Sequence, residues 1–289
     1  MDLAVYVNIM KISIGICTFD DYDGVYFTIQ SLLLYHSSPN YTFEFIVIDN
    51  NPSSEHGKET KKFVESFVKG IYIPYTEKQS SFNKYKTIDY ATGDIFLGLD
   101  GHVLLAPNAI DSLVQFFKEN PDSIDLIQGP LLLDDLKHQY THFTPKWSGD
   151  MYGVWACADK ETLDKNIPFE IELQGMGLYA FRTSAWKGIN PNFIGFGGEE
   201  GYIQGKFKQW GGKTICLPSL QWVHRFGRPN GVKYNLILED RIWNYFLGCM
   251  DMHNEPLHPF MSSIYDYFKT RVTKQKLDSI LQKVIMHFK

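Results

Sequence analysis

Short apolar runs alternate with segments of helical periodicity over the first 121 residues. The apolar runs have the length of strands and end in polar or turn-forming residues; they lie at 12–19, 43–51, 71–75 and 94–100. Apolar positions recur at helical spacing in residues 25–38, 53–70, 80–93 and 107–121. Strands that alternate with helices predict an α/β fold built on a Rossmann-like, doubly wound and mainly parallel sheet.

The alternation becomes less regular after about residue 125. Strands are predicted within 126–135 and 213–218, a strand followed by a short helix within 173–186, and a helix that ends at Gly211. Residues 138–161 are aromatic and polar and receive no assignment, whereas the chain from Asn235 onward has a helical pattern. We therefore predict one main domain at residues 10–250 and a helical C-terminal extension at residues 251–289.

Polar residues follow several of the predicted strands directly. They are Thr18, Asp20, Asp49 and Asp100. In a doubly wound sheet, ligands bind at the carboxyl ends of the strands. Turn formation would explain one or two of these residues, but the whole set favours a ligand site at this edge. The sequence contains no Gly-x-Gly-x-x-Gly or Walker-type loop, so it does not support a dinucleotide or P-loop site.

Composition narrows the class of protein further. A hydrophobic content of 44% over 289 residues supplies a substantial core, and a net charge of −5 argues against tight sequence-independent binding to a phosphate backbone. The N-terminal segment lacks a basic leader, and no apolar stretch has the length needed to span a bilayer, so we expect a cytoplasmic protein. The cysteines have no CxxC or zinc-type spacing and are predicted to be reduced core residues: Cys17, Cys157, Cys216 and Cys249.

Asp100 and His102 are separated by one glycine at the end of a predicted strand. Side chains at positions i and i+2 of a strand point the same way, so this carboxylate and imidazole can bind one divalent cation together. Taken alone, an Asp-x-His at a strand end more often begins a turn. Its position after the fourth strand of the alternating series favours the metal site.

Two acidic residues follow a glycine pair in the segment 195–212. Gly197 and Gly198 permit a tight bend, and Glu199 and Glu200 then lie near a predicted helix N-terminus. Acidic residues that stabilise the first turn of a helix would have the same pattern. The spacing alone therefore supports a functional pair and a capping segment about equally.

The segment 220–234 combines a histidine after a predicted strand with a cationic, glycine-containing loop. A single histidine in such a place is usually structural. His224 is, however, followed by Arg225, Arg228 and Lys233. This combination predicts a site for a metal-bound diphosphate.

In this order, the motifs resemble those of the nucleotide-sugar glycosyltransferases of the GT-A fold, and most of all the polypeptide N-acetylgalactosaminyltransferases and their relatives in the large family-two group. The resemblance covers about residues 11–250. The run "ATGDIFLGLDGH" is similar to the family's Asp-x-His metal motif, and "FGGEEGYIQGKFKQWGGKTICLPSLQWVH" to its acceptor-side motif and metal-binding histidine. Phe196 and Glu200 replace the family's Trp and Asn, so the sugar, the acceptor and the stereochemistry do not carry over.

The resemblance implies metal-dependent transfer of a sugar from a UDP-sugar to an acceptor hydroxyl on a saccharide, a protein or a hydroxymethylated DNA base. It implies that Asp100, His102 and His224 bind Mn²⁺ or Mg²⁺. It also implies that Glu199 or Glu200 binds the sugar or takes the acceptor proton. The donor-binding residues that it implies are Thr18, Asp20, Asp49, Asn83, Lys84, Arg225, Arg228, Lys233 and Tyr234.

The acceptor side is less defined. Trp147, Tyr152 and Trp155, with Phe196, could form a stacking surface, although packing under a loop is the commoner role for such residues. Two alternatives to a glycosyltransferase remain: a nucleotide-sugar-binding protein without turnover, and a nucleotidyltransferase. The latter usually has a Gly-rich basic loop after its first strand, whereas "CTFDDYDG" is acidic with one glycine. The intact set of predicted metal ligands and acids favours an enzyme.

Overall fold

The computed structural model describes residues 9–77, 80–228 and 231–289. Residues 1–8, which open the segment considered for a leader, and residues 229–230 of the cationic loop lie outside the described residues. No described helix is both long and apolar enough to cross a lipid bilayer.

Fourteen strands occur among the described residues, in a central sheet, a smaller sheet and a hairpin. In chain order they are β1 (Met10–Thr18), β2 (Tyr41–Asp49), β3 (Ile71–Pro74), β4 (Ile95–Asp100), β5 (Val103–Leu105), β6 (Leu126–Gln128), β7 (Leu131–Leu132), β8 (Gln139–Tyr140), β9 (His142–Ser148), β10 (Met151–Ala156), β11 (Phe169–Glu170), β12 (Leu178–Arg182), β13 (Thr214–Cys216) and β14 (Trp222–His224). The order in the central sheet is β11-β13-β6-β12-β4-β1-β2-β3.

The predicted α/β fold class is confirmed. β1 pairs in parallel with β2 and β4, and β2 pairs in parallel with β3, which gives a Rossmann-like half. β1 is buried without interruption from Ile12 to Ile16, as expected for a central parallel strand that is covered on both faces. On the other side of β4, β12 runs antiparallel to both of its neighbours, so the complete sheet is mixed.

Eight α-helices lie in the described part of the chain. They are α1 (Tyr22–Tyr35), α2 (Glu55–Lys62), α3 (Ala109–Glu119), α4 (Lys160–Asp164), α5 (Glu200–Gln209), α6 (Leu238–His253), α7 (Pro259–Phe268) and α8 (Lys274–His287). The predicted helix at 53–70 is α-helical only in α2 and continues as a π-helix over Phe63–Val68. The predicted helix at 80–93 is a 3-10 helix over Ser81–Tyr90; residues 82–85 are all buried, so tertiary packing outweighs the amphipathic pattern there.

Residues 138–161, which received no assignment from sequence, contain the antiparallel hairpin β9-β10. In this hairpin Met151 pairs with Ser148 and Ala156 with His142. A smaller sheet has the order β5-β14-β7-β8. β14 runs antiparallel to β5, so that His224 pairs with Val103. This pairing brings two distant parts of the chain together immediately beside His102.

The C-terminal helices pack around an apolar cluster of their own, which includes Phe246, Ile264 and Leu277. The helical stretch predicted from Asn235 begins at Leu238 and is divided into α6, α7 and α8. The predicted boundary between residues 250 and 251 falls inside α6, which contributes side chains both to this cluster and to the core against the sheet. The division of the chain into a domain and an extension stays a prediction.

The cysteines differ in their surroundings. All four are free. Cys216 and Cys249 are buried as predicted, and Cys17 is half-buried at the end of β1. Cys157 is exposed beyond β10, so the prediction of a core position was wrong for this residue.

Candidate functional site

The candidate site lies between β1 and β4, where the strand order of the central sheet reverses. Cys17 on β1 pairs with Asp100 on β4, and Thr18 pairs with Asp49 on β2. The carboxyl ends of the strands at such a switch point border a crevice. A cavity of about 580 Å³ occupies this crevice, and Thr18 and Asp100 are among its lining residues.

Three predicted metal ligands meet at one wall of this cavity. Asp100 ends β4, His102 follows after one glycine, and His224 ends β14. The Nε2 atoms of His102 and His224 are 3.0 Å apart, and His224 Nε2 lies 3.4 Å from Asp100 Oδ2. The ligand atoms of all three residues lie within 4.8 Å of one another. One divalent cation would be within reach of all three side chains.

The chemistry of this donor set fits a divalent cation. One carboxylate oxygen and two imidazole nitrogens suit Mn²⁺ better than Mg²⁺, which prefers oxygen ligands. Two adjacent octahedral ligands at about 2.1 Å from a metal are about 3 Å apart, close to the separation of the two Nε2 atoms. His224 Nδ1 is buried and has no hydrogen-bond partner in the part of the chain that the structure describes.

Asp21, at the N-cap of α1, orients His102. Its Oδ2 lies 2.9 Å from His102 Nδ1, which places the proton on Nδ1 and leaves Nε2 as the electron-pair donor. The same carboxylate accepts a hydrogen bond from Arg225 Nη2 at 2.7 Å and one from the Gly24 amide at 3.3 Å. A Cβ at Gly24 would lie 2.2 Å from the Gly101 carbonyl oxygen. The glycine therefore lets the first turn of α1 pack directly on the Asp-Gly-His turn.

Replacing Asp21 by asparagine is expected to weaken Mn²⁺ binding by about 10- to 100-fold, because the carboxylate that orients a liganding imidazole would be lost. Asparagine is as good an N-cap as aspartate, so the melting temperature should change little. Calorimetric titration with Mn²⁺ measures the affinity, and Asp23→Asn in the exposed first turn of α1 is the matched control. Wild-type affinity in Asp21→Asn would separate Asp21 from the metal site.

The predicted donor-side cations surround this cluster. Arg228 lines the cavity, and its Nη2 lies 2.8 Å from His102 Nε2. Arg225 and Lys233 lie outside the lining, where Arg225 pairs with Asp21 and Lys233 Nζ donates to a carbonyl oxygen at 3.3 Å. Positive charge is thus concentrated on the side of the cavity that holds the candidate metal ligands.

Lys84 is a buried cation beside Asp100. Its Nζ lies 3.3 Å from Asp100 Oδ1 and donates to the Met176 carbonyl oxygen at 3.1 Å. Burial acts to lower the pKa of Lys84, but the carboxylates of Asp100 and Glu199 outweigh burial and hold this pKa above its usual range. Lys84 therefore stays charged and pairs with one oxygen of Asp100, while the other oxygen faces His224.

Glu199 and Glu200 lie at the N-terminus of α5, as predicted, and both line the cavity. Glu199 is buried and accepts a hydrogen bond from Ser81 Oγ at 2.8 Å. Burial, together with the neighbouring charge of Glu199, raises the pKa of Glu200 to about 7. Two carboxyl groups with different environments can divide the roles of proton acceptor and hydrogen-bonding group between them.

The loop that precedes these acids is held by α6. Gly197 and Gly198 have φ values of 89° and 90°, a conformation that glycine adopts without strain. Asn244 on α6 donates to the carbonyl oxygens of Ile194 and Gly197 at 2.7 and 2.8 Å and accepts from the Ile194 amide at 2.9 Å. The position of the paired acids therefore depends on α6.

Besides Arg225 and Lys233, three residues predicted to bind the donor lie outside the cavity lining: Asp20, Asp49 and Asn83. The Asp49 carboxylate accepts a hydrogen bond from the Tyr72 hydroxyl at 2.7 Å. Asn83 donates at 2.9 Å to the side chain of Asn50, which does line the cavity. Their role in donor binding stays a prediction.

The aromatic residues of the predicted acceptor surface are divided between two places. Trp155 and Phe196 line the cavity, where Phe196 stacks on Tyr234 with ring centres 5.5 Å apart. Trp147 and Tyr152 pack instead against the cluster of the C-terminal helices. Trp147 and Tyr152 thus have packing contacts, and an acceptor role for any of these aromatic residues stays a prediction.

Several lining residues were missed from the sequence. Asp21 lies three residues before the glycine amide that it caps, which is a recognisable helix-start spacing. Asn50 and Ser81 reach the cavity from loop and 3-10 positions that have no local signal. The lining segment Gly175–Gly177 is positioned by a buried glutamine, Gln128, whose Nε2 donates to the Gly175 carbonyl oxygen at 2.9 Å.

Solved structures with the same fold include two sugar transferases. A structure of GalNAc-T7 with UDP, GalNAc and Mn²⁺ matches with a TM-score of 0.72 and 15% identity, over 97% of this chain and 56% of that chain. The mannosyltransferase PcManGT from Pyrobaculum calidifontis, in complex with GDP-Man and Mn²⁺, matches with a TM-score of 0.53 and 11% identity. This match covers 96% of this chain and 74% of that chain. At these identities the likeness establishes the fold, which is of the GT-A type.

Sequence comparison gives the family. The glucosyl-dolichyl phosphate glucuronosyltransferase of Haloferax volcanii is 21% identical over 153 residues, which are 52% of this chain and 46% of that protein. This chain therefore spans just under half the length of that curated relative. Residues 13–170, more than half of the chain, match the family described as "Glycosyl transferase family 2". The resemblance noted in the sequence is thereby confirmed, and the chain belongs to glycosyl transferase family 2.

Proposed function

We propose that this protein is a metal-dependent glycosyltransferase that moves a sugar from a nucleotide-sugar donor to an acceptor hydroxyl. The observation that carries the proposal is one cavity that holds both a cation-binding set and a pair of acids. Asp100, His102 and His224 converge on one side, and Glu199 and Glu200 lie in the same cavity. A donor diphosphate and an acceptor hydroxyl need these two kinds of group close together.

The proposed metal ligands are Asp100, His102 and His224, and the proposed metal is Mn²⁺. When bound, it would neutralise charge on the departing nucleoside diphosphate. Asp21 holds His102 in the tautomer in which Nε2 is unprotonated, and Lys84 pairs with Asp100. These contacts keep the ligands in position before a donor arrives.

The cations of the loop after β14 would bind the diphosphate. Arg228 already lies at the metal-ligand cluster, and guanidinium groups pair well with phosphate oxygens. Thr18 and Asn50, at the ends of β1 and β2, line the adjoining part of the cavity and would face the nucleoside. The Thr18 hydroxyl is buried and lacks a hydrogen-bond partner among the described residues, so a donor hydroxyl or base could satisfy it.

Glu200 is the proposed general base. A carboxyl with a pKa of about 7 is well matched to taking a proton from an acceptor hydroxyl near neutral pH. Glu199, held by Ser81, would accept a hydrogen bond from a sugar hydroxyl. Proton removal from the attacking hydroxyl by a protein carboxylate corresponds to inversion at the transferred sugar.

The proposed donor is a UDP-sugar and the proposed acceptor a saccharide. The UDP-containing GalNAc-T7 structure has the higher TM-score of the two, which supports the nucleotide. Trp155, Phe196 and Tyr234 offer aromatic faces in the cavity, on which a sugar ring can stack. A protein or a hydroxymethylated DNA base is the alternative acceptor.

A donor-hydrolysis screen tests this function. Purified protein with Mn²⁺ should release nucleoside diphosphate from at least one UDP-sugar, and chelation of the metal should reduce the rate by at least about 100-fold, because the leaving group would lose its counter-charge. Coupled detection of UDP across a panel of UDP- and GDP-sugars measures this. Metal-dependent UDP binding without release from any sugar would indicate a binding protein instead, and release of pyrophosphate from nucleoside triphosphate would indicate a nucleotidyltransferase.

A further inference from the structure

A second cluster of metal-ligand side chains lies at the junction of α6 and α7, away from the cavity. Cys249 and His253 are four residues apart on α6 and therefore lie on one face of the helix, one turn apart. His258 follows after a short loop, at the N-cap of α7. The resulting spacing, Cys-x3-His-x4-His, was not evident from the spacing of the cysteines alone.

The three side chains are close enough to share one ion. Their ligand atoms lie within 4.8 Å of one another. Cys249 Sγ lies 3.7 Å from His258 Nδ1, which also accepts the N-cap hydrogen bond of the Phe260 amide at 3.2 Å. The imidazole rings of His253 and His258 are stacked with their centres 3.7 Å apart. A tetrahedral zinc with Zn–S of about 2.3 Å and Zn–N of about 2.0–2.1 Å separates sulfur from nitrogen by about 3.6 Å.

We propose that Cys249, His253 and His258 bind Zn²⁺ and thereby fasten the end of α6 to the start of α7. A thiolate with two imidazoles is a donor set typical of zinc, and quite unlike the carboxylate-containing set in the cavity. Cys249 is buried and His253 is exposed, so a bound ion would be reachable from solvent and water would complete its coordination. The thiol releases its proton to solvent when the metal binds.

The charge of a neighbouring carboxylate favours a cation at this place. Glu255, in the loop between α6 and α7, acts electrostatically on both Cys249 and His253 and adds negative charge beside the cluster.

The site would have a structural consequence for the cavity. α6 carries Asn244, which holds the loop that precedes the paired acids. Fixing the C-terminal end of α6 would therefore stabilise the scaffold of the cavity without contributing a group to it. The inference stands whether or not the protein transfers sugars, because it rests on side chains outside the proposed donor site.

Cobalt substitution tests the zinc site directly. Metal-free protein titrated with Co²⁺ should develop a thiolate-to-cobalt charge-transfer band and the visible bands of tetrahedral cobalt, and Zn²⁺ should remove these bands by displacing the cobalt. Cys249→Ser should remove the charge-transfer band. His253→Ala, at an exposed position that packing does not need, should weaken cobalt binding at least tenfold. Zinc at 100-fold over its Kd should raise the wild-type melting temperature by about 5 °C.

Two controls separate this site from the cavity. His224→Ala should retain the thiolate band, since it alters only the carboxylate-containing set. Cys17→Ser is the second control, because the Cys17 thiol lines the cavity near Asp100 and is the alternative source of a thiolate band. A band that disappears in Cys17→Ser and persists in Cys249→Ser would overturn the proposal, as would the absence of any thiolate band in the wild-type protein.

Discussion

Replacing His224 by alanine is expected to weaken UDP binding in the presence of Mn²⁺ by at least about 100-fold. His224 Nε2 lies 3.0 Å from His102 Nε2 and 3.4 Å from Asp100 Oδ2, so its removal takes away the third of the proposed metal ligands. Isothermal calorimetry of UDP with and without Mn²⁺ measures the loss. In the wild-type protein, binding should depend strongly on the metal.

A loss of binding is easier to attribute to the metal site in a His224 variant than in an Asp100 variant. Asp100 pairs with Lys84, which is buried. Burial acts to raise the pKa of Asp100, but Lys84 and His224 outweigh burial and hold this pKa well below its usual range. Removing one partner of a buried ion pair leaves an uncompensated charge and typically costs about 3–5 kcal/mol of stability. Loss of binding in Asp100→Asn could therefore follow from unfolding, whereas His224→Ala leaves the buried pair intact.

The control for His224→Ala is His142→Ala, which removes a partly buried imidazole outside the cavity lining. It should bind UDP and Mn²⁺ as the wild-type protein does. Metal-dependent binding of wild-type strength in a folded His224→Ala variant would contradict the assigned ligand set. UDP binding that is equally strong without Mn²⁺ in the wild-type protein would contradict a metal-held diphosphate.

The Rossmann-like half of the fold could be predicted from sequence because its signals are local. β1, β2 and β4 are largely buried runs that end in a polar residue, and β3 is a shorter, more exposed apolar run. The turn at Asp100 and His102 and the acids at the start of α5 are also set by neighbouring residues. The sequence therefore predicts both the location of these residues and their placement at a strand end or a helix start.

The remaining features depend on contacts between distant residues. Asp21 meets His102 and Arg225 across 81 and 204 positions of the chain, so no local pattern links them. Trp147 lies in the β9-β10 hairpin and is partly buried by helices more than a hundred residues later; its Nε1 donates to Ser263. The antiparallel β12 likewise has the composition of any buried strand, so no local pattern indicates its direction in the sheet.

Replacing Glu200 by glutamine is expected to reduce kcat for transfer by about 10²- to 10⁴-fold, the usual contribution of a general base. UDP binding should remain close to wild type, because the metal ligands are untouched. Steady-state transfer kinetics and calorimetry on the same samples separate the two effects. Glu161→Gln on the exposed α4 is the matched control and should transfer at the wild-type rate.

The pH dependence identifies which acid acts as the base. With a pKa of about 7, Glu200 is protonated below this pH and cannot accept a proton, so wild-type kcat should fall as the pH drops through about 7. In Glu200→Gln this acidic limb of the curve of kcat against pH should vanish, so that kcat is low and independent of pH. Glu199→Gln removes the charge that helps to raise the Glu200 pKa, and its limb should therefore move to lower pH. If the limb persists in Glu200→Gln and vanishes in Glu199→Gln, Glu199 is the base; a limb in both variants would exclude both acids from that role.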